Sequence, residues 1–314
     1  MKLILGTMTF GDQVVGAKAA EILTLFRDSG HIELDTAHLY HGGKTEALLG
    51  ELASDESGFA TATKVHPWND AGLQPERIKQ QFRESLSRLQ ANDVDLLYLH
   101  SPDIHTPISE TLQACYELYC DGCFRRFGLS NFSAWQVAEV AELCRQNNWM
   151  QPTVYQGMYN ALTRDVESEL LPCLRNYNIA FYAYNPLAGG LLTGKHTDIN
   201  RKPENGRFGR YGAYPDRYWK SDYFGVVSKF TDACGKHQIP PSEAALRWLC
   251  HHSVLVSNYS CYADHGIILG VSSKSHLEQN LKALAAGSLP RDIVDVLNQG
   301  WETTRTDCFK YFRT

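Results

Sequence analysis

The chain has no apolar run approaching the roughly 18 residues of a membrane-crossing helix, so no segment of it reads as a span. It has no excess of positive charge either. Lys and Arg number 30 against 35 Asp and Glu, and a formal charge of -5 gives little attraction for nucleic acid or an anionic membrane surface. A disulfide framework is also missing: the nine cysteines, at 115, 120, 123, 144, 173, 234, 250, 261 and 308, are odd in number and fall mostly inside apolar patterns. Free thiols in a reducing, cytoplasmic setting are expected. Cys120 and Cys123 form one CxxC without the second ligand pair that a zinc site needs, so they read as packing thiols and no metal is expected. The opening MKLILGTMTFG carries a short apolar run broken by Gly6, Thr7 and Thr9, which lacks the length and cleavage pattern of a signal peptide. There is no linker or low-complexity tract, and one domain over 1–314 is the economical expectation.

What the chain does have is alternation. Short apolar strands are predicted at 3–5, 31–35, 59–63, 94–99, 124–129, 153–156, 179–184 and 266–270. Between and after them lie helical patterns at 17–28, 44–54, 75–91, 108–121, 134–147, 163–176 and 274–286. Strands separated by helices pair in parallel, because each return to a parallel neighbour needs a crossover. Eight units in a chain of this length predict an α/β fold, a closed (β/α)8 TIM barrel. The competitor is an open doubly wound sheet, which normally carries a GxGxxG turn after its first strand; here the glycines at 6, 11 and 16 have the wrong spacing. Regularity fails at 186–221, after strand seven, and at 252–265, and loops that long are usually functional.

In such a barrel the C-terminal strand ends open on one face, so polar residues there share a site. The candidates are Asp35 and Tyr40 after strand two, Lys64 after strand three, His100 after strand four, Ser130 and Asn131 after strand five, Gln156 after strand six, and Tyr184 after strand seven. A buried Asp35 beside a buried Lys64 would be a paired charge. An ammonium against Tyr40 would lower the phenol's pKa toward neutrality, and His100 would orient a carbonyl oxygen.

The strings LDTAHLY (34–40), TK (63–64), DLLYLHSPD (95–103), GLSNF (128–132), VYQGMYNALTR (154–164), YNPLAGGLLTGK (184–195) and ILGVSSKSHLEQN (268–280) resemble the aldo-keto reductases, in order and over nearly the whole chain. GRFGRYGAYPDRYWK (206–220), ALRWLCHHS (245–253) and the terminal YFR (311–313) resemble the branch that reduces aflatoxin aldehydes and succinic semialdehyde. The resemblance implies NADPH-dependent reduction of aldehydes to alcohols, carboxylate-bearing aldehydes and dicarbonyls among them, without metal. Tyr40 would be the acid, supported by Asp35, Lys64 and His100.

It further implies that Ser130, Asn131 and Gln156 hold the nicotinamide amide and that Tyr184 stacks beneath the ring. Pro186, Leu187, Gly189, Leu191 and Lys195 would belong to the loop over the pyrophosphate. Ser272, Ser273 and Lys274 would meet the 2′-phosphate, and Gln279 and Asn280 the adenine. His276 stands where many members of the family carry arginine. Met8, Trp68, Tyr218, Trp219 and, from a C-terminal extension, Phe312 are expected to wall an aromatic substrate cleft, with Arg217 and Arg313 as cations at its mouth. A homodimer is what this branch suggests. Two other readings remain open: a nucleotide-sensing binding module resembling channel β-subunits, and a Schiff-base aldolase using Lys64 as nucleophile.

Overall fold

The computed structural model describes residues 1–53, 58–68, 72–257 and 264–313. Eight parallel strands close into a barrel in sequence order: β1 Lys2–Gly6, β2 Glu33–Asp35, β3 Ala60–Val65, β4 Val94–Leu99, β5 Phe124–Ser130, β6 Pro152–Met158, β7 Ala180–Tyr184 and β8 Gly266–Gly270. Closure runs from Lys2 against Gly266 to Gly6 against Gly270. Helices cover the outside: α1 Gly16–Asp28, α2 Lys44–Leu52, α3 Pro75–Leu89, α4 Ile108–Cys120, α5 Ala134–Gln146, α6 Leu170–Asn176, α7 Gly206–Arg210, α8 Ala213–Tyr218, α9 Ser221–Lys236, α10 Pro241–His251, α11 Val254–Ser257, α12 Lys274–Ala285 and α13 Arg291–Thr304. Among the described residues no helix is long and apolar enough to cross a membrane. The eight described cysteines are free thiols, and Cys261 lies outside the described residues.

Alternate residues of each strand face two cores. Leu5, Leu97, Leu99, Phe127, Leu129 and Phe181 pack outward beneath the helices, whereas Ile4, Ala62, Leu96, Tyr98, Val154, Tyr182 and Ile268 fill the barrel. Rings fit inside because glycines face them. A Cβ at Gly128 would stand 2.5 Å from the Tyr98 ring, and one at Gly266 2.9 Å from the Tyr182 ring. The N-terminal end of the barrel is closed by charge: Arg126 pairs with Asp95 and, at 3.1 Å, with Glu33, and Tyr182 donates to Glu33 at 3.1 Å.

Several boundaries differ from expectation. β3 and β6 run past their predicted ends, because Val65 still pairs with Leu99 and Met158 with Tyr184, so Lys64 and Gln156 lie within strands and not after them. The helix expected at 163–176 is a 3-10 turn at Asp165–Glu167 followed by α6, because Thr163 is held in a bridge to Asn160 and Glu169 leaves helical geometry. Within the stretch expected to be loop, Ala188–Thr193, α7 and α8 are helical turns. Residue 54 of the expected second helix, and 258–263 of the loop expected at 252–265, lie outside the described residues.

Candidate active site

A cavity of ≈ 810 Å³ opens at the C-terminal ends of the strands. Asp35 ends β2 and is 3% exposed, and beside it Lys64, in β3, is fully buried. Lys64 Nζ donates to both Asp35 carboxylate oxygens at 2.8 Å and to the Thr36 carbonyl at 2.6 Å, which uses all three ammonium protons. Asp35 also accepts from Gln156 Nε2 at 2.7 Å, so a strand on the far side of the barrel is tied to the same carboxylate. An unpaired charge here would be prohibitive; paired and hydrogen-bonded, the two form a rigid floor.

Tyr40 and His100 stand over that floor, their ring centroids 6.1 Å apart and edge-on, with Lys64 Nζ 5.2 Å from the Tyr40 centroid. Burial raises the Tyr40 pKa well above the usual phenol value, and the Asp35 carboxylate adds to the rise. This reverses the expectation of a phenol lowered by Lys64, because burial of the phenol, with the Asp35 carboxylate beside it, outweighs the ammonium. His100 is pushed the other way: burial, then Lys64 and Arg313, hold it well below the usual histidine range, so it is neutral at neutral pH. Its Nδ1 is buried without a hydrogen-bond partner, and its carbonyl accepts from Asn131 at 2.8 Å.

Ser130 closes β5, and Asn131 turns into left-handed geometry at φ +63°, aiming its amide across the cavity floor to receive the Tyr184 hydroxyl at 3.0 Å. Beyond β7 the backbone of Asn185–Gly190 wraps the cavity edge. Gly190, at φ +107°, would place a Cβ in open space, leaving bare backbone toward the cavity, and Asn185 Nδ2 is a second buried polar atom without a partner. Pro186, Leu187, Gly189 and Lys195 line this edge, and Ser272, His276 and Asn280 the next, with Ser272 Oγ 3.1 Å from His276 Nδ1. These features suit an extended nucleotide: unpartnered polar atoms, a small-residue cradle and a cationic rim.

Met8, Trp68, Arg217 and Arg313 line the cavity as expected. Other expected residues do not reach its lining. Leu191 and Tyr218 are buried in the core, and Trp219 packs on Phe208 and Phe224 with its indole N–H on the Ile199 carbonyl. Phe312 turns against Tyr311. Ser273 caps α12, and Lys274 and Gln279 are exposed and lie outside the lining, which takes His276 and Asn280 from the same helix. In their place stand Arg207, Tyr211 and Tyr214, which sequence reasoning missed. Arg207 bonds the Tyr214 hydroxyl, which in turn donates to Asn185 Oδ1 at 3.1 Å. The only available signal was the density of Arg and Tyr in 206–218, which does not say which of them face inward.

Three arginines thus border the cavity, and among the described residues none has a carboxylate partner. Arg217, 7% exposed, lies 5.0 Å from the Phe309 ring centroid and 5.6 Å from that of Tyr214, with its Nε buried and unpartnered. Arg313 stacks on Trp68 at 4.8 Å.

Comparison with known proteins agrees with this geometry. Residues 2–302 match the model of the Aldo/keto reductase family. The chain is 46% identical to Aflatoxin B1 aldehyde reductase member 2 of Homo sapiens, over 99% of this chain and 89% of that protein. It is 44% identical to Aflatoxin B1 aldehyde reductase member 4 (98% and 96% covered) and to Aldo-keto reductase family 7 member A3 (99% and 96%), both of Homo sapiens. The chain belongs to the aldo/keto reductase family and is an oxidoreductase.

Proposed function

We propose that the protein reduces aldehydes to alcohols with NADPH, and that Tyr40 delivers the proton. The observation that carries this reading is the convergence of Tyr40, neutral His100 and the Lys64–Asp35 pair at the floor of one cavity with a nucleotide-sized flank. When bound, NADPH supplies the hydride. The raised pKa keeps Tyr40 protonated at neutral pH, so its hydroxyl can give a proton to the carbonyl oxygen as negative charge develops there. His100 brings a neutral imidazole that orients the same oxygen without competing as a cation. Asp35 fixes the Gln156 amide, and Gln156, Ser130, Asn131 and Tyr184 are the residues that would hold the nicotinamide. A Schiff base on Lys64 is disfavoured, since its nitrogen is sealed beneath the floor with every proton engaged.

Tyr40→Phe keeps the ring and removes the donor. Turnover should fall at least about a hundredfold with NADPH affinity nearly unchanged, the scale of lost general-acid catalysis. A variant that keeps more than about a tenth of wild-type turnover would remove Tyr40 from this role.

Carboxylate-bearing aldehydes fit the unpaired guanidinium groups of Arg217 and Arg313, which offer paired hydrogen bonds to an acid. Succinic semialdehyde should therefore be preferred over an uncharged aldehyde of like length. Arg217→Met or Arg313→Met should cut that preference about tenfold or more, mainly through KM, the loss expected when a charged hydrogen bond is removed. Equal handling of the two aldehydes by wild type would leave selection to cavity shape alone.

A further inference from the structure

Behind the Tyr40 loop, on the side away from the cavity, lies a polar cluster that the reduction chemistry does not use. His38, two residues before Tyr40, sets its Nδ1 3.3 Å from Nε2 of His66 and its Nε2 2.9 Å from Glu84 Oε2. His66 follows Lys64 by two residues and is 4% exposed. Both of its backbone groups are gripped by one buried side chain: Gln81 Oε1 accepts from its N–H at 3.0 Å, and Gln81 Nε2 donates to its carbonyl at 2.9 Å. Gln81 and Glu84 belong to α3. So does Arg88, which donates to the His38 carbonyl at 3.3 Å and ion-pairs with Glu84 and with buried Glu46. Neither His38 nor His66 lines the large cavity; both border a separate one of ≈ 280 Å³ behind Trp68.

The rings run in series. His66 stacks on Trp68 with centroids 5.7 Å apart, Trp68 meets His100 edge-on at 4.8 Å, and His100 meets Tyr40 edge-on at 6.1 Å. A path that leaves the loop at His38 therefore returns to it at Tyr40. Only Leu39 separates the two residues, in right-handed geometry, so a displacement of His38 passes directly to Tyr40; the left-handed run of His41, Gly42 and Gly43 follows on the other side of Tyr40.

Proton counting gives the chain a direction. The Glu84 carboxylate only accepts, so His38 Nε2 carries a proton. A proton on His66 Nε2 donated to His38 Nδ1 leaves His66 Nδ1 bare, matching its burial without a partner. Burial, and then the neighbouring His38, hold His66 down at about 4 against an opposing contact from the Trp68 backbone, so His66 is neutral at neutral pH.

We propose that Glu84, His38 and His66 form a positioning chain that sets the Tyr40 hydroxyl against His100 for proton transfer, acting on turnover without touching substrate or nucleotide. The proposal rests on Tyr40 being the proton donor. His38→Leu should lower kcat per nucleotide-binding site about ten- to a hundredfold, the usual effect of a small misplacement of reacting groups. KM for the aldehyde and Kd for NADPH should stay within about twofold. Sites are counted by NADPH fluorescence titration, so a variant that merely loses stability shows fewer sites at unchanged kcat. His38→Asn, whose amide can keep a polar link to His66, should recover most of the loss. Should His38→Leu not fold, His66→Phe keeps the stack on Trp68 and deletes the link, and the same deficit is expected.

Wild-type kcat per site in His38→Leu or His66→Phe overturns the proposal, as does a His38→Asn variant no faster than His38→Leu. Tyr40→Phe is measured beside them. If it stays active, the reading of Tyr40 has failed. If it is inactive while His38→Leu turns over normally, only the positioning chain has failed.

Discussion

A buried histidine that refuses its proton makes the whole molecule sensitive to acid. Burial lowers the pKa of His66 to about 4 and that of His100 well below its usual value. In the unfolded chain both titrate near the ordinary value of about 6.5. Between those limits the unfolded state binds protons that the folded state does not, so this contribution to stability is complete above about pH 6.5 and drains away as pH falls through the folded pKa. His265 and His252 shift in the same direction, also through burial. Thermal unfolding should therefore show a falling Tm from about pH 7 to about pH 5, a window in which few carboxylates titrate. His66→Asn should flatten part of that slope, and a Tm independent of pH across the window would contradict the buried, neutral state of these imidazoles. The catalytic candidates were legible at this same scale because barrel strand ends converge whatever their sequence separation. The sign of the Tyr40 shift was not, since it is set by how deeply the phenol is buried and by its approach to Asp35, which only the fold fixes.

At the scale of elements, what could be read was whatever repeats. The strands with apolar alternation, and helices such as α3, where Ile78, Phe82 and Leu89 share one buried face, stand out by period alone. β3 and β6 ended later than expected because a polar residue inside a barrel strand, Lys64 or Gln156, looks in sequence like the start of a loop. α9 and α13 went unplaced, although they pack closely and bury Phe230, Ile293 and Leu297. They lie outside the strand–helix rhythm, so no counting argument called for them. The stretch after β7 was recognised as unusual, but its inner face was illegible. Whether Arg207 and Tyr214, or Tyr218 and Trp219, reach the cavity is decided by the left-handed turns at Gly189 and Gly190 and by the short helices that follow, none of which has a hydrophobic period.

The whole molecule divides its charges between two ends of one barrel. At the C-terminal end, Arg207, Arg217 and Arg313 lack carboxylate partners among the described residues and face a cavity, an arrangement suited to binding and costly for folding. At the N-terminal end, Arg126 is saturated: it bonds Asp95 through two nitrogens, Glu33 at 3.1 Å and the Tyr182 hydroxyl at 3.3 Å, while Lys2 reaches Glu33 at 3.1 Å from the rim. In a barrel of this class chemistry gathers at the C-terminal face and the opposite face serves stability. Arg126→Met should therefore separate the two. The apolar stem is kept, but Glu33 and Asp95 lose their common cation and Tyr182 loses a partner. Because the Arg126 side chain is about a quarter exposed (26%), the expected cost lies below that of a fully buried pair, at about 2 kcal/mol. Strands β2, β4, β5 and β7 all contribute to this cluster, so the loss should appear as a lower Tm of the entire barrel and not as local fraying. Turnover and NADPH affinity of the folded variant should match wild type, since Leu96, Tyr98 and Val154 fill the barrel between the cluster and the Asp35–Lys64 floor. Denaturant melts alongside steady-state rates decide it: unchanged stability would make the cluster ornamental, and a large fall in kcat at unchanged Tm would show that the two ends are coupled.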